Sequence, residues 1–313
     1  MGGDSNTGGP VLVTGATGRH GGTGLHLVHG LRDAGWHVRV LVRVRDERVS
    51  TLEAAGAEVA IGDLHDRNSL VGAMKGAATA YFTYPINKGV IDAAAIFASA
   101  AREAATVERI VVMSMGASNP QSPSHLGRAQ AVAEEVLAWA GLDLIVLRVA
   151  ALFFENIHTL HARTIRNEGV IRNNFGATPV PWIGGADAGA LGLAAVLHPH
   201  RFKGASVHYP PGTELMSHPE IAAVIADAIG RPVRYECIDT PTWQGELEQL
   251  AGSDGGAVNV DMARHISALG AMFSTPGRAP IRAPDAREIG RLTGRAPQSL
   301  RSFIRQNAKF FAA

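Results

Sequence analysis

Cysteine is nearly absent. Cys237 stands alone, so the chain can form no internal disulfide, which fits a reducing compartment. No motif surrounds that thiol, and a small buried side chain is the expected reading. Neither sign of charge is in excess: 29 Lys and Arg face 28 Asp and Glu, a net +1. That removes the electrostatic case for nucleic acid or an anionic membrane surface and leaves small molecules as the expected partners. Long apolar runs are missing as well. "LDLIVLRVAALFF" is too short for a bilayer and carries Asp143 and Arg148. The opening "MGGDSNTGGP" has neither the positive nor the apolar stretch of a secretory signal. Residues 1–9 therefore read as a disordered leader, and the cytoplasm as the expected location. What is present is a 46% apolar, 18% charged chain of 313 residues, suited to one α/β domain with a smaller appended part.

Short β-branched runs alternate with helix-period segments through the first half. Strands are expected at "VLVTG", "HVRVLVR", "AEVAIGD", "TAYFTYP", "ERIVVMS" and "LDLIVLR". A first helix repeats Leu25, Val28 and Leu31 and stops at Gly35; others are expected near 47–55, 66–75, 88–105 and 124–140. Buried strands alternating with helices predict a parallel sheet covered on both faces, an α/β doubly wound (Rossmann) fold over residues 10–152. Past residue 150 the rhythm breaks. "FFENIHTLHARTIRNEGV" reads as a helix and "GATPVPWIGGADAG" as a Gly/Pro-rich segment. "SHPEIAAVIADAIG" is a helix capped by Ser217, boxed by Glu220 and ended by Gly230. From Arg231 to Ala313, two or three short helices are expected. Residues 153–313 thus read mainly as a smaller α+β substrate lobe over the carboxyl edge of the sheet, with some return to the sheet. The assembly is expected to be a monomer or homodimer.

"VLVTGATGRHGGTG" sets Gly15, Gly18 and Gly21 at even spacing between a strand and a helix, with a βαβ unit following. Glycine lets backbone amides approach an anion, and the helix N-terminus adds partial positive charge. The spacing is GxxGxxG, not the commoner GxGxxG. Gly15, Thr17, Gly18, Arg19, His20 and Gly21 form the expected phosphate cradle. About 20 residues on, where an acid would take a free ribose 2′-hydroxyl, stands Arg43 with Arg45 nearby, and no acid lies between Val38 and Val44. A guanidinium pairs bidentately with a 2′-phosphate, so NADP(H) is expected over NAD. For "IGDLHD" two readings stand: Asp63 and Leu64 hold an adenine, or Asp63 or Asp66 caps the next helix. Thr83 and Tyr84, at the end of the fourth strand, complete the expected cofactor contacts.

Together, "VTGATGRHGG", "VRVLVR", "GDLHDRNSL", "RIVVMSMGAS", "LRVAALFFENI" and "LTGRAPQSLRSFIRQN" resemble the NmrA-like branch of the atypical short-chain dehydrogenase/reductases, from about Pro10 to Asn307. The resemblance implies a Rossmann domain with a small C-terminal substrate lobe, NADP(H) along the strand ends, and Asn156 at the cofactor cleft. Members include quinone and aryl-ether reductases, NADPH-sensing regulators without turnover, and natural-product tailoring enzymes. The wider superfamily reduces carbonyls with a Ser and a Tyr-x-x-x-Lys pair on the helix after the fifth strand. The Tyr gives a proton, and the Lys lowers its pKa and grips the ribose. Here Ser114 ends the fifth strand, but "SPSHLGRAQAVAEEVLAWAG" has neither Tyr nor Lys. Many NmrA-like relatives that lack the Tyr keep the Lys, four residues before a Glu. Matched on Glu134, Gln130 takes the Lys place and Leu126 the Tyr place. Gln130 can hydrogen-bond a ribose hydroxyl but lends no charge, and Arg128 lies about 200° around the helix from it. His125 is either a proton source near neutral pH or a loop histidine facing solvent. Ser114, His125 and Gln130 are the candidate catalytic groups.

Hydride transfer needs no protein acid when the acceptor is an easily reduced quinone or conjugated system. The expected function is NADPH-dependent reduction of a quinone-like or conjugated aromatic small molecule. The alternatives are an NADP(H) sensor without turnover and a natural-product tailoring enzyme with non-redox or coupling chemistry. Phe153, Phe154 and Trp182 are candidates for an apolar substrate pocket, although adjacent aromatics at a helix start also serve as core. Glu155 joins them as a weaker acid–base candidate. His158 and His161 have metal-ligand spacing but no third ligand fixed nearby, so no metal is expected. "HPH" at His198 to His200 reads as a loop, and "AGSDGGAV" at 251–258 as a turn.

Overall fold

The computed structural model describes residues 9–18, 20–253, 258–275 and 282–312. The first half alternates strictly: β1 (Val11–Thr14), α1 (Thr23–Asp33), β2 (Val38–Val42), α2 (Glu47–Ala54), β3 (Glu58–Ile61), α3 (Arg67–Met74), β4 (Thr79–Phe82), α4 (Val90–Ala104), β5 (Arg109–Met115), α5 (His125–Ala138) and β6 (Asp143–Val149). The second half runs β7 (Leu152–Phe153), α6 (Glu155–Glu168), β8 (Val170–Asn173), β9 (Val180–Ile183), α7 (Gly185–Leu197), β10 (Val207–His208), β11 (Glu214–Met216), α8 (His218–Ile229), β12 (Arg234–Cys237), α9 (Thr240–Ser253), α10 (Val260–Phe273), α11 (Ala286–Thr293) and α12 (Leu300–Gln306).

Seven strands form one parallel sheet in the order β10-β6-β5-β4-β1-β2-β3. The order reverses direction between β1 and β4, which opens a crevice at the carboxyl ends of those strands. The central strands are apolar at most positions because both faces are covered; Val11, Leu12 and Val13 are all buried. On one face Leu27 and Leu31 of α1 and Leu191 and Ala195 of α7 close a core over Val13 and Val40. On the other, Leu70, Phe97 and Leu137 from α3, α4 and α5 pack on Phe82 and Val112. A third core gathers Phe154, Trp182, Ile225, Trp243, Phe303 and Phe311 beyond the sheet, around the strands β11-β9-β7 and the pair β12-β8.

Local signals behave as their chemistry dictates. Gly35 takes φ +79° just past α1. Ser217 and Glu220 form the reciprocal capping box of α8, and Gly230 ends that helix at φ +70°. The C-terminal "TGRAPQSL" is tied to α7: buried Asp187 pairs with Arg295 at 2.6 Å and accepts the Gln298 N–H at 3.0 Å.

Three expectations change. The Gly/Pro-rich segment contains β9 and opens α7, a 13-residue helix apolar on nearly every side, which is why no amphipathic period betrays it. Among the described residues the tail holds four α-helices, two of them 14 residues long, and glycines such as Gly245 and Gly270 are carried inside them. Cys237 is exposed, since it ends β12 in a two-stranded sheet with an open face. The turn at 251–258 lies partly outside the described residues. Among those residues, no helix is long and apolar enough to cross a membrane.

α7 meets the β1–α1 turn backbone to backbone. A Cβ on Gly185 would stand 1.8 Å from the Gly21 carbonyl oxygen. Gly185→Ala is therefore expected to lower unfolding stability by about 1–3 kcal/mol in urea titration, and to weaken NADPH binding measured by fluorescence quenching.

Candidate functional site

The carboxyl ends of β1 to β6 open into one cleft of about 670 Å³, within the range of small-molecule sites. Its base is the β1–α1 turn. Gly15 has φ +69°, and a Cβ there would lie 2.4 Å from the Thr83 methyl group. The Gly18 N–H donates to the Gly15 carbonyl at 3.0 Å. Thr14 Oγ accepts the Thr83 N–H at 3.0 Å and fastens the ends of β1 and β4 together. No side chain caps α1, so its first N–H groups stay available to an anion. Thr17 and His20 line the cleft from the same turn, while Arg19 lies outside the described residues.

Arg43 stands exposed at the rim where β2 ends and makes no ion pair or hydrogen bond with the described residues. Arg45 turns away to Glu53 at 2.8 Å. The second rim cation is Arg48, which the sequence reading missed. Its guanidinium is held by Asp46 at 3.1 Å and by the Thr17 carbonyl at 3.1 Å, joining α2 to the glycine turn. In "IGDLHD" the roles divide: Asp66 caps α3, while Asp63 accepts the His65 N–H at 2.9 Å and lines the cleft with Leu64. Thr83 and Tyr84 line it too, and the Tyr84 hydroxyl donates to the Lys88 carbonyl at 3.0 Å.

At the inner end, Ser114 donates its hydroxyl proton to Glu134. Ser118 binds the same carboxylate at 2.7 Å, and Arg148 neutralises it at 2.7 Å. With its only proton committed, Ser114 faces the cleft as an acceptor. Gln130 is buried and lines the cleft, one helical turn before Glu134. Arg128 points elsewhere, to the Ser122 carbonyl at 2.6 Å. His125 does not enter the cleft either. Its ring turns toward Asp261 at 3.6 Å, at the start of α10, and stays 41% exposed, so it is a rim group and not an inner proton source.

Only one of the three expected pocket aromatics faces the main cleft. Phe153 lines it and lies against Gly21. Phe154, already in helical backbone at the start of α6, is fully buried against Phe303. Trp182 is 2% exposed and donates Nε1–H to the Met216 carbonyl at 3.0 Å. It is core and borders a small annex with His161, His218 and Trp243. Asn156 touches both annex and cleft, and its Oδ1 is buried without a protein partner. Such an orphaned acceptor fits a bound ligand.

Other candidates resolve into structure. His158 stacks on Phe310 at 4.9 Å and His161 on Trp243 at 5.4 Å, so they share no ligand. Among the described residues no cluster of three metal-binding side chains occurs. Glu155 accepts the Gly185 N–H with both oxygens at 3.1 Å, and burial raises its carboxyl above the usual range. It anchors α7 outside the cleft.

The roof is α10, which the sequence reading had not connected to the site. Met262, His265, Ile266, Leu269 and Met272 hang from it over the strand ends. Nothing local in the sequence announces that cover. His265 is buried and pushed down to about 3 by burial, with His20 and His125 adding repulsion. Burial likewise holds His20 down to about 4. The inner cleft is thus neutral and largely apolar, with cations at the rim.

The donor set fits an adenine dinucleotide carrying an extra phosphate: a side-chain-free turn, an uncapped helix start and an unpaired guanidinium at the second strand. A model of the NmrA-like family matches residues 8–275. This chain belongs to the NmrA-like family. The NmrA-like chain is 28% identical over 309 residues to an NAD(P)H azoreductase of Xenophilus azovorans, covering 97% of this chain and 99% of that one. It is 29% identical over 320 residues to a (4-alkanoyl-5-oxo-2,5-dihydrofuran-3-yl)methyl phosphate reductase of Streptomyces griseus, covering 96% and 99%. Its fold matches that of an NADPH-dependent quinone oxidoreductase of Escherichia coli crystallised with NADPH, with a TM-score of 0.74, 20% identity, and 95% and 99% coverage.

Two outcomes follow for the NmrA-like cleft. Arg43→Glu is expected to raise the Kd for NADPH at least about tenfold, the loss of one charge-assisted pair, while leaving NADH nearly unchanged in calorimetric titration. The buried imidazoles set an acid limit. His161 and His265 are held down to about 3 and His218 well below 6.5 by burial. The unfolded chain protonates them near 6.5, so below that pH it binds more protons than the fold. Stability is expected to drop as pH falls from 6.5, by up to about 1.4 kcal/mol per pH unit for each histidine, read as a falling urea midpoint between pH 7.5 and 5.5.

Proposed function

We propose that this NmrA-like protein is an NADPH-dependent reductase of quinone-like or conjugated aromatic small molecules. The observation that carries the reading is a neutral, apolar-roofed cleft with an anion-binding turn at one end and no Tyr or Lys on α5 at the other. The reductase names of its relatives agree with it.

When bound, NADPH supplies a hydride. The chain's own residues do the rest. The Gly15–Gly21 turn and the α1 N-terminus hold the pyrophosphate, and Arg43 and Arg48 take the 2′-phosphate. Gln130 and Asn156 fix the ribose and nicotinamide by hydrogen bonds, without adding charge. Phe153 and α10 exclude water and press a flat acceptor against the reacting face. Positioning of this kind suffices for an acceptor that is already electron-poor. A simple ketone, whose oxygen needs a proton as the hydride arrives, is a poor substrate for a site without a strong acid. Residues 153–313 supply most of the substrate side. The protein works in the cytoplasm as a monomer or homodimer.

C4-deuterated NADPH offered with a panel of quinones, azo dyes, enones and ketones tests this. NADPH absorbance should fall with the quinones, azo dyes and enones and stay constant with the ketones, and reduced enone should keep deuterium on carbon. Product without NADPH loss would point to non-redox chemistry. Tight NADPH binding without turnover on any acceptor would point to a sensor. Gln130→Lys should raise turnover of ketones several-fold by restoring the cation.

A further inference from the structure

We propose that His265 is a catalytic hydrogen-bond donor, presenting Nε2–H to the anion that forms on the acceptor, and that Ser124 positions it. The proposal rests on the reductase reading above and names the group that answers the missing Tyr and Lys.

The geometry starts at the N-terminus of α5. Ser124 is the N-cap and 1% exposed; its Oγ accepts the Gly127 N–H at 3.4 Å. The same Oγ lies 2.6 Å from His265 Nδ1. A hydroxyl has one proton. One of its two lone pairs takes the Gly127 N–H, and among the described residues the hydroxyl proton has no acceptor other than Nδ1, so it goes there and the imidazole keeps its own proton on Nε2. Nε2 has no protein partner among the described residues, and the side chain lines the cleft beside Met262 and Ile266. An imidazole with one nitrogen fixed by Ser124 and the other open to the cleft is more than an apolar roof needs, where Leu would serve. It makes sense where a substrate oxygen or nitrogen fills the gap.

Burial keeps this ring neutral throughout the physiological range, with His20 on the glycine turn and His125 beside Ser124 disfavouring a proton further. Asp261, at the start of α10, spends its charge on His125 and the Lys88 N–H at the rim. A neutral imidazole donates a hydrogen bond without giving up its proton. The electron balance is simple. A quinone gains a hydride, two electrons and one proton, from NADPH, which leaves as NADP+. The quinone becomes a hydroquinone monoanion, Nε2–H stabilises the oxyanion, and a solvent proton completes the hydroquinone. Donors preset toward developing charge are among the strongest single contributions to catalysis.

The test uses 2-methyl-1,4-naphthoquinone and NADPH with the full-length protein. His265→Phe, which keeps volume and loses the donor, should lower kcat about 100-fold with KM and the NADPH Kd nearly unchanged. His265→Leu is the second apolar variant if Phe does not fold. His265→Gln, which keeps an N–H, should recover part of the loss. Ser124→Ala should lower kcat less, and 15N NMR of labelled imidazoles should show the His265 proton on Nε2 in the parent and shared between both nitrogens in Ser124→Ala. The parent kcat should show no titration between pH 5 and 8 from this ring. Full kcat in folded His265→Phe or His265→Leu, or a proton on Nδ1 in the parent, overturns the proposal while the reductase reading stands. A parent that oxidises no NADPH with any acceptor overturns both.

Discussion

The structure depends on one close approach. The backbone of the β1–α1 turn touches the start of α7, with Gly21 on one side and Gly185 on the other and no side chain between them. Glu155, at the start of α6, accepts the Gly185 N–H with both carboxylate oxygens and so fixes that contact from the third direction. The turn that presents amides to an anion is therefore braced by an element 160 residues further along, roughly half the chain. Asp187, next in α7, draws in Arg295 and the Gln298 N–H. Through these contacts the C-terminal motif, the second-half helices and the nucleotide turn become one mechanical unit, and the cleft keeps its width.

Charge in this cleft is graded. Arg43 and Arg48 stand at the rim, where solvent keeps an ionised side chain cheap and where an incoming phosphate meets it first. Inward, every titratable group is either paired or neutral. Glu134 is neutralised by Arg148 and by two serine hydroxyls, and His20 and His265 are held uncharged by burial. A low-dielectric interior strengthens each hydrogen bond it contains and makes a stray charge costly. That environment suits a flat, electron-poor acceptor better than a carbonyl that demands a strong acid.

Much of this was legible in the sequence because the relevant physics is local. Buried parallel strands are continuous β-branched runs, and all six early ones lie where those runs fall. Glycines at a strand-to-helix turn, a capping box at Ser217 and an arginine after β2 each carry their meaning within a few residues. The rest needs long-range information. α7 is apolar all round, so no period marks it. Phe153 and Phe154 part where β7 gives way to α6, a change of direction that neither letter announces. His125 and His265 are equivalent as letters; their roles separate because α10 folds back across 140 residues of intervening chain to set His265 against Ser124. The exposed edge at Cys237 was invisible for the same reason.

The most direct measurement is a crystal structure of the protein with NADP+ and a 2-hydroxy-1,4-naphthoquinone acceptor analogue. The account requires the 2′-phosphate against the Arg43 guanidinium, the pyrophosphate on the Gly15–Gly21 amides, and the naphthoquinone stacked on the nicotinamide under α10 with an oxygen at His265 Nε2. A nucleotide with its 2′-phosphate in solvent, or a naphthoquinone seated away from the strand ends, would contradict it.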